Sequence, residues 1–320
     1  MSTSISPFGA IAPVEPVPVV SVGPIVLPAP GRAVPLQVRV SAPLIGRDLP
    51  IVLLSHGHGA SNNLSSLNGY GPLANHWAAR GFVVIQPTHL SSATLRGVVD
   101  PSGPEGALFW RSRAEDMSRL LDALDALEEA APGLLGRVDR GRVAVAGHSL
   151  GGMTAGMLLG QRATDAQGTV VDLRDPRIAA GVIIAGPGNP AFLTGPARDR
   201  YPVLRTLDFS TMTAPALVVV GDQDVNPMFS DQAAYRAGAY TLSPGPKDLL
   251  TVFGGEHILG GISGYDAAET TDESPARVEA VAQLTWAYMR TALDSADPAW
   301  PTACAALRDA PSPLARVDAK

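Results

Sequence analysis

One cysteine, Cys304, stands in 320 residues, so no disulfide can form within the chain. It lies in a proline-flanked stretch far along the chain from every histidine, which argues against a catalytic thiol. Positive charge is also scarce: 24 Lys and Arg face 30 Asp and Glu, for a net charge of −6. That balance gives no electrostatic footing for nucleic acid or anionic lipid. No run approaches the roughly 18 apolar residues of a membrane span. Residues 1–10 hold neither the basic segment nor the apolar core of a signal peptide, so the expected location is cytoplasmic. Charged residues make up only 17% and hydrophobic ones 46%, which excludes a disordered chain and implies a large core.

What is present is a rhythm of short apolar runs and longer segments of helical period. Strands are expected at 19–26, 34–40, 50–55, 82–86, 142–146, 180–184, 216–220 and 249–253. The first two alternate, as an antiparallel edge does; the rest are continuous runs suited to strands buried on both faces. Met117, Leu120, Leu121, Leu124 and Leu127 line one face of a helix whose other face carries Glu115, Arg119, Asp122 and Asp125. A last helix starts at Ser274 as N-cap with Pro275 at its first position and runs to Leu293. The expected fold is one doubly wound α/β domain with a mostly parallel eight-stranded sheet and helices on both faces. Residues 1–47 read as a proline-rich entry with the first edge strands, 48–293 as the core and 294–320 as a tail.

The chemistry concentrates at Gly147-His148-Ser149-Leu150-Gly151-Gly152, between the run Val143-Ala144-Val145-Ala146 and a helix-like segment. A strand, a tight glycine turn and a helix push a serine hydroxyl above the sheet edge. They also leave the next N–H free to meet developing negative charge. A serine hydroxyl needs a base to take its proton, and the base needs a third group to hold its tautomer. Of the six histidines only His257 follows the serine, just past the run 249–253; His56, His58, His76 and His89 precede it, and the His148 ring should point away from the hydroxyl. Two carboxylates follow the strand-ending Gly221. Asp224 lies far enough out to reach His257, whereas Asp222 sits close to the sheet and suits a turn brace. A second oxyanion donor is expected from the turn His56-Gly57-His58-Gly59, so the N–H groups of His58 and Leu150 are assigned that role. Metal binding by His56 and His58 lacks a matching cluster elsewhere, and no metal is expected.

Together, His56-Gly57-x-Gly59, Gly147-x-Ser149-x-Gly151-Gly152, Gly221-x-x-Asp224 and the late Gly-x-His257 resemble the α/β-hydrolase superfamily over about residues 48–293. Leu53-Leu54-Ser55-His56-Gly57, Gly81-Phe82-Val83-Val84 and Arg113-x-x-Asp116 are similar to its dienelactone hydrolase, chlorophyllase and platelet-activating-factor acetylhydrolase branch. Dienelactone hydrolases carry cysteine where this chain has Ser149, which counts against that activity. The resemblance implies a serine esterase working through an acyl-enzyme on a small-molecule ester, without cofactor, with Ser149 as nucleophile, His257 as base and Asp224 as its orienting acid. The alternatives are an amidase, thioesterase or lactonase with the same three residues, or a ligand-binding member without turnover.

The connection 186–213 is too short for a large cap, and the loop 90–110 has the length of a flap. Trp110 at its base either faces the site or packs in the core. Met153, Met228, Phe229 and Ile258 neighbour the catalytic positions in sequence and divide between an apolar substrate wall and the core.

Overall fold

A computed structural model describes residues 14–264 and 267–320. Residues 1–10, read above for a leader, and Tyr265 and Asp266 fall outside the described residues.

Among the described residues nine strands form one sheet, in the order β1-β2-β4-β3-β5-β8-β9-β10-β11. In chain order they are β1 (Val19–Leu27), β2 (Leu36–Pro43), β3 (Leu49–Ser55), β4 (Val83–Pro87), β5 (Val138–His148), β8 (Ala180–Ile184), β9 (Ala216–Gly221), β10 (Lys247–Val252) and β11 (Ala315–Ala319); β6 (Arg162–Thr164) and β7 (Val170–Asp172) make a separate hairpin. From β4 to β10 neighbouring strands run parallel, and β1, β2 and β11 close the two edges antiparallel. All eight expected strands are present within a few residues. The ninth, β11, comes from the stretch read as a tail, which also holds helix α8 (Ala299–Asp309).

The remaining helices are α1 (Gly71–Ala79), α2 (Trp110–Asp122), α3 (Leu124–Ala130), α4 (Leu150–Leu158), α5 (Gly195–Arg200), α6 (Gly238–Thr241) and α7 (Pro275–Leu293). The expected single helix through Leu127 is two, parted at Ala123, although its five apolar residues are all buried. The core explains the continuous apolar runs. Leu53, Val145, Ile183 and Val218 pack with α2, α3 and α4 on one face. Their neighbours Leu54, Ala146, Val182 and Leu217 pack with α1, α7 and α8 on the other. Because successive strand side chains alternate, a strand covered on both faces must be apolar throughout.

The order of the parallel strands reverses at β3: β4 lies to one side of it and β5 to the other. Loops leaving β3 and β5 therefore diverge and open a crevice at their carboxyl ends, where open α/β sheets bind ligands. The loops after β9 and β10 reach the same rim. The connection 186–213 holds only α5 and two short 3-10 turns, so no large cap covers it. Among the described residues no helix is long and apolar enough to cross a membrane.

Candidate active site

Ser149 follows the last residue of β5, with φ 55° and ψ −120°. A side chain at positive φ costs about 1–3 kcal/mol and persists only where its surroundings impose it. The imposing contacts are the glycines. A Cβ on Gly147 would lie 2.0 Å from the Gly151 carbonyl oxygen, and one on Gly151 would lie 2.1 Å from that of Ser55. The Ser149 N–H donates to the Ile184 carbonyl at 2.8 Å, tying the turn to β8.

Three chain-distant side chains converge there. The Ser149 hydroxyl and His257 Nε2 are 2.9 Å apart, and His257 Nδ1 lies 2.8 Å from Asp224 Oδ2. With Nδ1–H donating to the carboxylate, Nε2 is left to accept the serine proton. Asp222 instead accepts the Gly254 N–H at 2.7 Å, tying the turn after β9 to the turn after β10. The Asp224 side chain is fully buried. Burial alone would raise its pKa, but the Arg236 guanidinium and the His257 ring hold it down at about 2. His257 is shifted below the usual imidazole range by burial and by Arg236, against the pull of Asp224.

Arg236 is the residue sequence reasoning missed. Its side chain is 4% exposed, and its Nε lies 3.1 Å from the Asp224 oxygen that His257 also uses, an ion pair not aligned for a hydrogen bond. Its guanidinium lies 5.0 Å from the Tyr235 ring centre and 5.8 Å from that of Phe229. No motif marks it; the pairing is visible only in three dimensions.

A second unforeseen link joins the two loops of the site. Tyr70 Oη accepts the Gly57 N–H at 3.0 Å and donates to His148 Nδ1 at 2.8 Å. His148 Nε2–H then donates to the His257 carbonyl at 2.7 Å. Burial, helped by His257, lowers the His148 pKa to about 3, so its ring stays neutral, with both nitrogens bonded to Tyr70 and the His257 carbonyl. His56 braces its own loop, donating from Nδ1 to the Gly57 carbonyl and accepting the His89 N–H at Nε2. Among the described residues the N–H groups of His58 and Leu150 have no acceptor, and both residues line the cavity over Ser149.

That cavity has a volume of about 400 Å³. Phe229 and Ile258 line it, together with Leu108, Tyr201 and Leu204. Trp110, Met153 and Met228 do not. Trp110 and Met153 are buried in the core, Trp110 also lining a neighbouring cavity, and Met228 lies off the cavity with its carbonyl accepting the Thr194 hydroxyl. Met153 lies on α4 among the core residues and does not line the cavity, although it is near Ser149 in sequence. Among the described residues no three His, Cys, Asp or Glu side chains gather as a metal site. Cys304 sits half-buried on α8, its thiol pushed up to about 11 by burial and Asp248. No protein-family model matches the chain, and no curated protein matches it either.

Proposed function

We propose that this chain is a serine hydrolase of the α/β-hydrolase kind that cleaves carboxylic esters through an acyl-enzyme. The observation that carries the reading is the His257 ring, within hydrogen-bond reach of Ser149 on one side and Asp224 on the other. In the first half-reaction Ser149 Oγ attacks the ester carbonyl while its proton passes to His257 Nε2. The resulting imidazolium lies against an Asp224 carboxylate that Arg236 keeps ionised. The N–H groups of His58 and Leu150 receive the oxyanion, each such donor being worth about a hundredfold or more in rate. Collapse of the tetrahedral intermediate expels the alcohol, which takes the proton from His257. Water then enters by the same route, its proton going to His257, and the acid leaves as Ser149 regains its hydrogen. Every proton is carried by a protein side chain, so the reading calls for no cofactor.

The test is hydrolysis of p-nitrophenyl acetate with labelling of Ser149 by a fluorophosphonate. Turnover that Ser149→Ala abolishes supports the proposal. A Ser149→Ala protein as fast as the original sinks it. A panel of esters, thioesters and anilides with matched acyl groups then ranks the leaving groups.

A further inference from the structure

Beside the cavity over Ser149 lies a second of nearly equal size, about 410 Å³. Leu108 and Tyr201 line both, so two side chains part them. Tyr201 stacks on Phe229 with ring centres 5.9 Å apart, which continues an apolar wall from one space to the other.

The charges of the second cavity are unequal in what they have left to offer. Glu105 already accepts the N–H groups of Arg111 and Ser112 and the Ser112 hydroxyl, at the start of α2. Asp165 accepts the N–H groups of Gln167 and Thr169 and pairs with Arg111 at 3.2 Å. Arg200 and Arg205 line the same space, are exposed, and have no carboxylate partner among the described residues. The Arg200 guanidinium stands 5.5 Å from the Tyr201 ring centre, at the partition itself. Its field also reaches His58, whose pKa it helps burial and Arg113 to lower. The acidic residues Glu256 and Glu269 line the first cavity and not the second. A chain of net charge −6 thus carries two unspent cations in the second cavity, Arg200 at its mouth and Arg205 within it.

We propose that the two cavities form one substrate groove whose second cavity receives a carboxylate. The preferred substrate is an ester extended by an apolar chain that ends in an anion, an inference that rests on the hydrolase reading above. Arg200 and Arg205 act as specificity residues and touch none of the reacting atoms.

The experiment compares p-nitrophenyl monoesters of adipate, suberate and sebacate with the neutral hexanoate, octanoate and decanoate. A second arm compares acetate esters of ω-hydroxy acids with those of matching alkanols, which separates an acyl-side from an alcohol-side anion. The readout is the ratio of kcat/KM for the anionic to the neutral member at each length. In Arg200→Ala/Arg205→Ala that ratio is expected to fall about fivefold in one arm, the scale of two exposed ion pairs. The same ratio should fall in the unaltered protein as salt is raised. A ratio unchanged by the double substitution at every length in both arms overturns the proposal. Calorimetry of monomethyl suberate against methyl octanoate, with Ser149→Ala in both the parent and the double variant, decides the groove without turnover. Suberate binding that the double variant loses upholds the groove even if no ester is cleaved, and equal binding of the two ligands refutes it.

Discussion

Replacing Asp224 by Asn separates what the carboxylate does for the base from what it does for the fold. The carboxamide keeps the shape but can present its NH2 to His257, which then turns Nδ1 into an acceptor and leaves Nε2 protonated and unable to take the serine proton. Loss of the correct tautomer costs about four orders of magnitude in kcat, or about 5 kcal/mol of transition-state stabilisation. A second cost falls on Arg236. Its guanidinium lies 3.1 Å from the carboxylate and is 4% exposed, so the substitution strands a buried cation. Breaking such a pair from one side costs about 3–5 kcal/mol of stability. The double variant Asp224→Asn/Arg236→Met removes both charges and should recover most of that stability while staying inactive. Steady-state hydrolysis of p-nitrophenyl acetate reads the first effect and urea midpoints read the second. Asp222→Asn, which disturbs a bond to the Gly254 N–H, serves as the contrast. The reasoning fails if Asp224→Asn keeps more than about a tenth of kcat, if Asp222→Asn is the slower of the two, or if the double variant is no more stable than the single one.

Three further outcomes are expected. Ser149→Gly relieves the backbone at φ 55°, and after the glycine entropy cost it should gain about 1 kcal/mol and about 2 °C in Tm while losing activity; Ser149→Ala, which keeps the strain, should not. In the proposed mechanism the base works as the neutral imidazole, and the His257 pKa is lowered from its ordinary value, so the acid limb should lie below the ordinary imidazole range; Arg236→Met removes a charge that lowers the His257 pKa and should move the acid limb of kcat/KM upward. A downward or absent shift would exclude the electrostatic role of Arg236. Tyr70→Phe leaves the Gly57 N–H and His148 Nδ1 without their partner and should cost about 2–3 kcal/mol in urea denaturation, with a drop in kcat because the adjoining His58 N–H loses its brace.

The parallel strands were legible because burial on both faces forces an unbroken apolar run, and Leu49–Ser55 and Ala216–Gly221 are such runs. The turn at Ser149 was legible because backbone passes within about 2 Å of where side chains would begin, which only glycine tolerates. β11 was not. Its residues Ala-Arg-Val-Asp-Ala alternate at a sheet edge, with Arg316 and Asp318 partly solvated, and that pattern reads equally as a polar tail. Arg236 was hidden because an ion pair leaves no spacing rule in the chain. The cavity wall was half-legible: Phe229 and Ile258 adjoin the candidate residues and do line it. Tyr201, Leu204 and Leu108 arrive from connections whose paths depend on packing that local sequence does not encode.

The molecule holds a second serine–histidine–aspartate set, and the contrast shows what such geometry is worth. Ser55 Oγ lies 2.9 Å from His89 Nε2, and His89 Nδ1 lies 3.1 Å from Asp116 Oδ2. These separations differ little from those at Ser149, yet all three residues are fully buried. Ser55 also accepts from Arg113, and Asp116 from Arg32. Burial, against the pull of Arg32, raises the Asp116 pKa to about 6. Ser55 is wholly shielded from solvent, and among the described residues it is not one of those at positive φ. Its work is mechanical: Arg113 donates to the His56 carbonyl, and His56 in turn bonds to the Gly57 carbonyl and the His89 N–H. This buried set therefore holds the loop from which His58 offers its N–H to the cavity. Donor and acceptor spacing alone does not separate a nucleophile from a brace. The proposal rests instead on access to a cavity, a residue at positive φ and unspent N–H groups beside it, which coincide at Ser149.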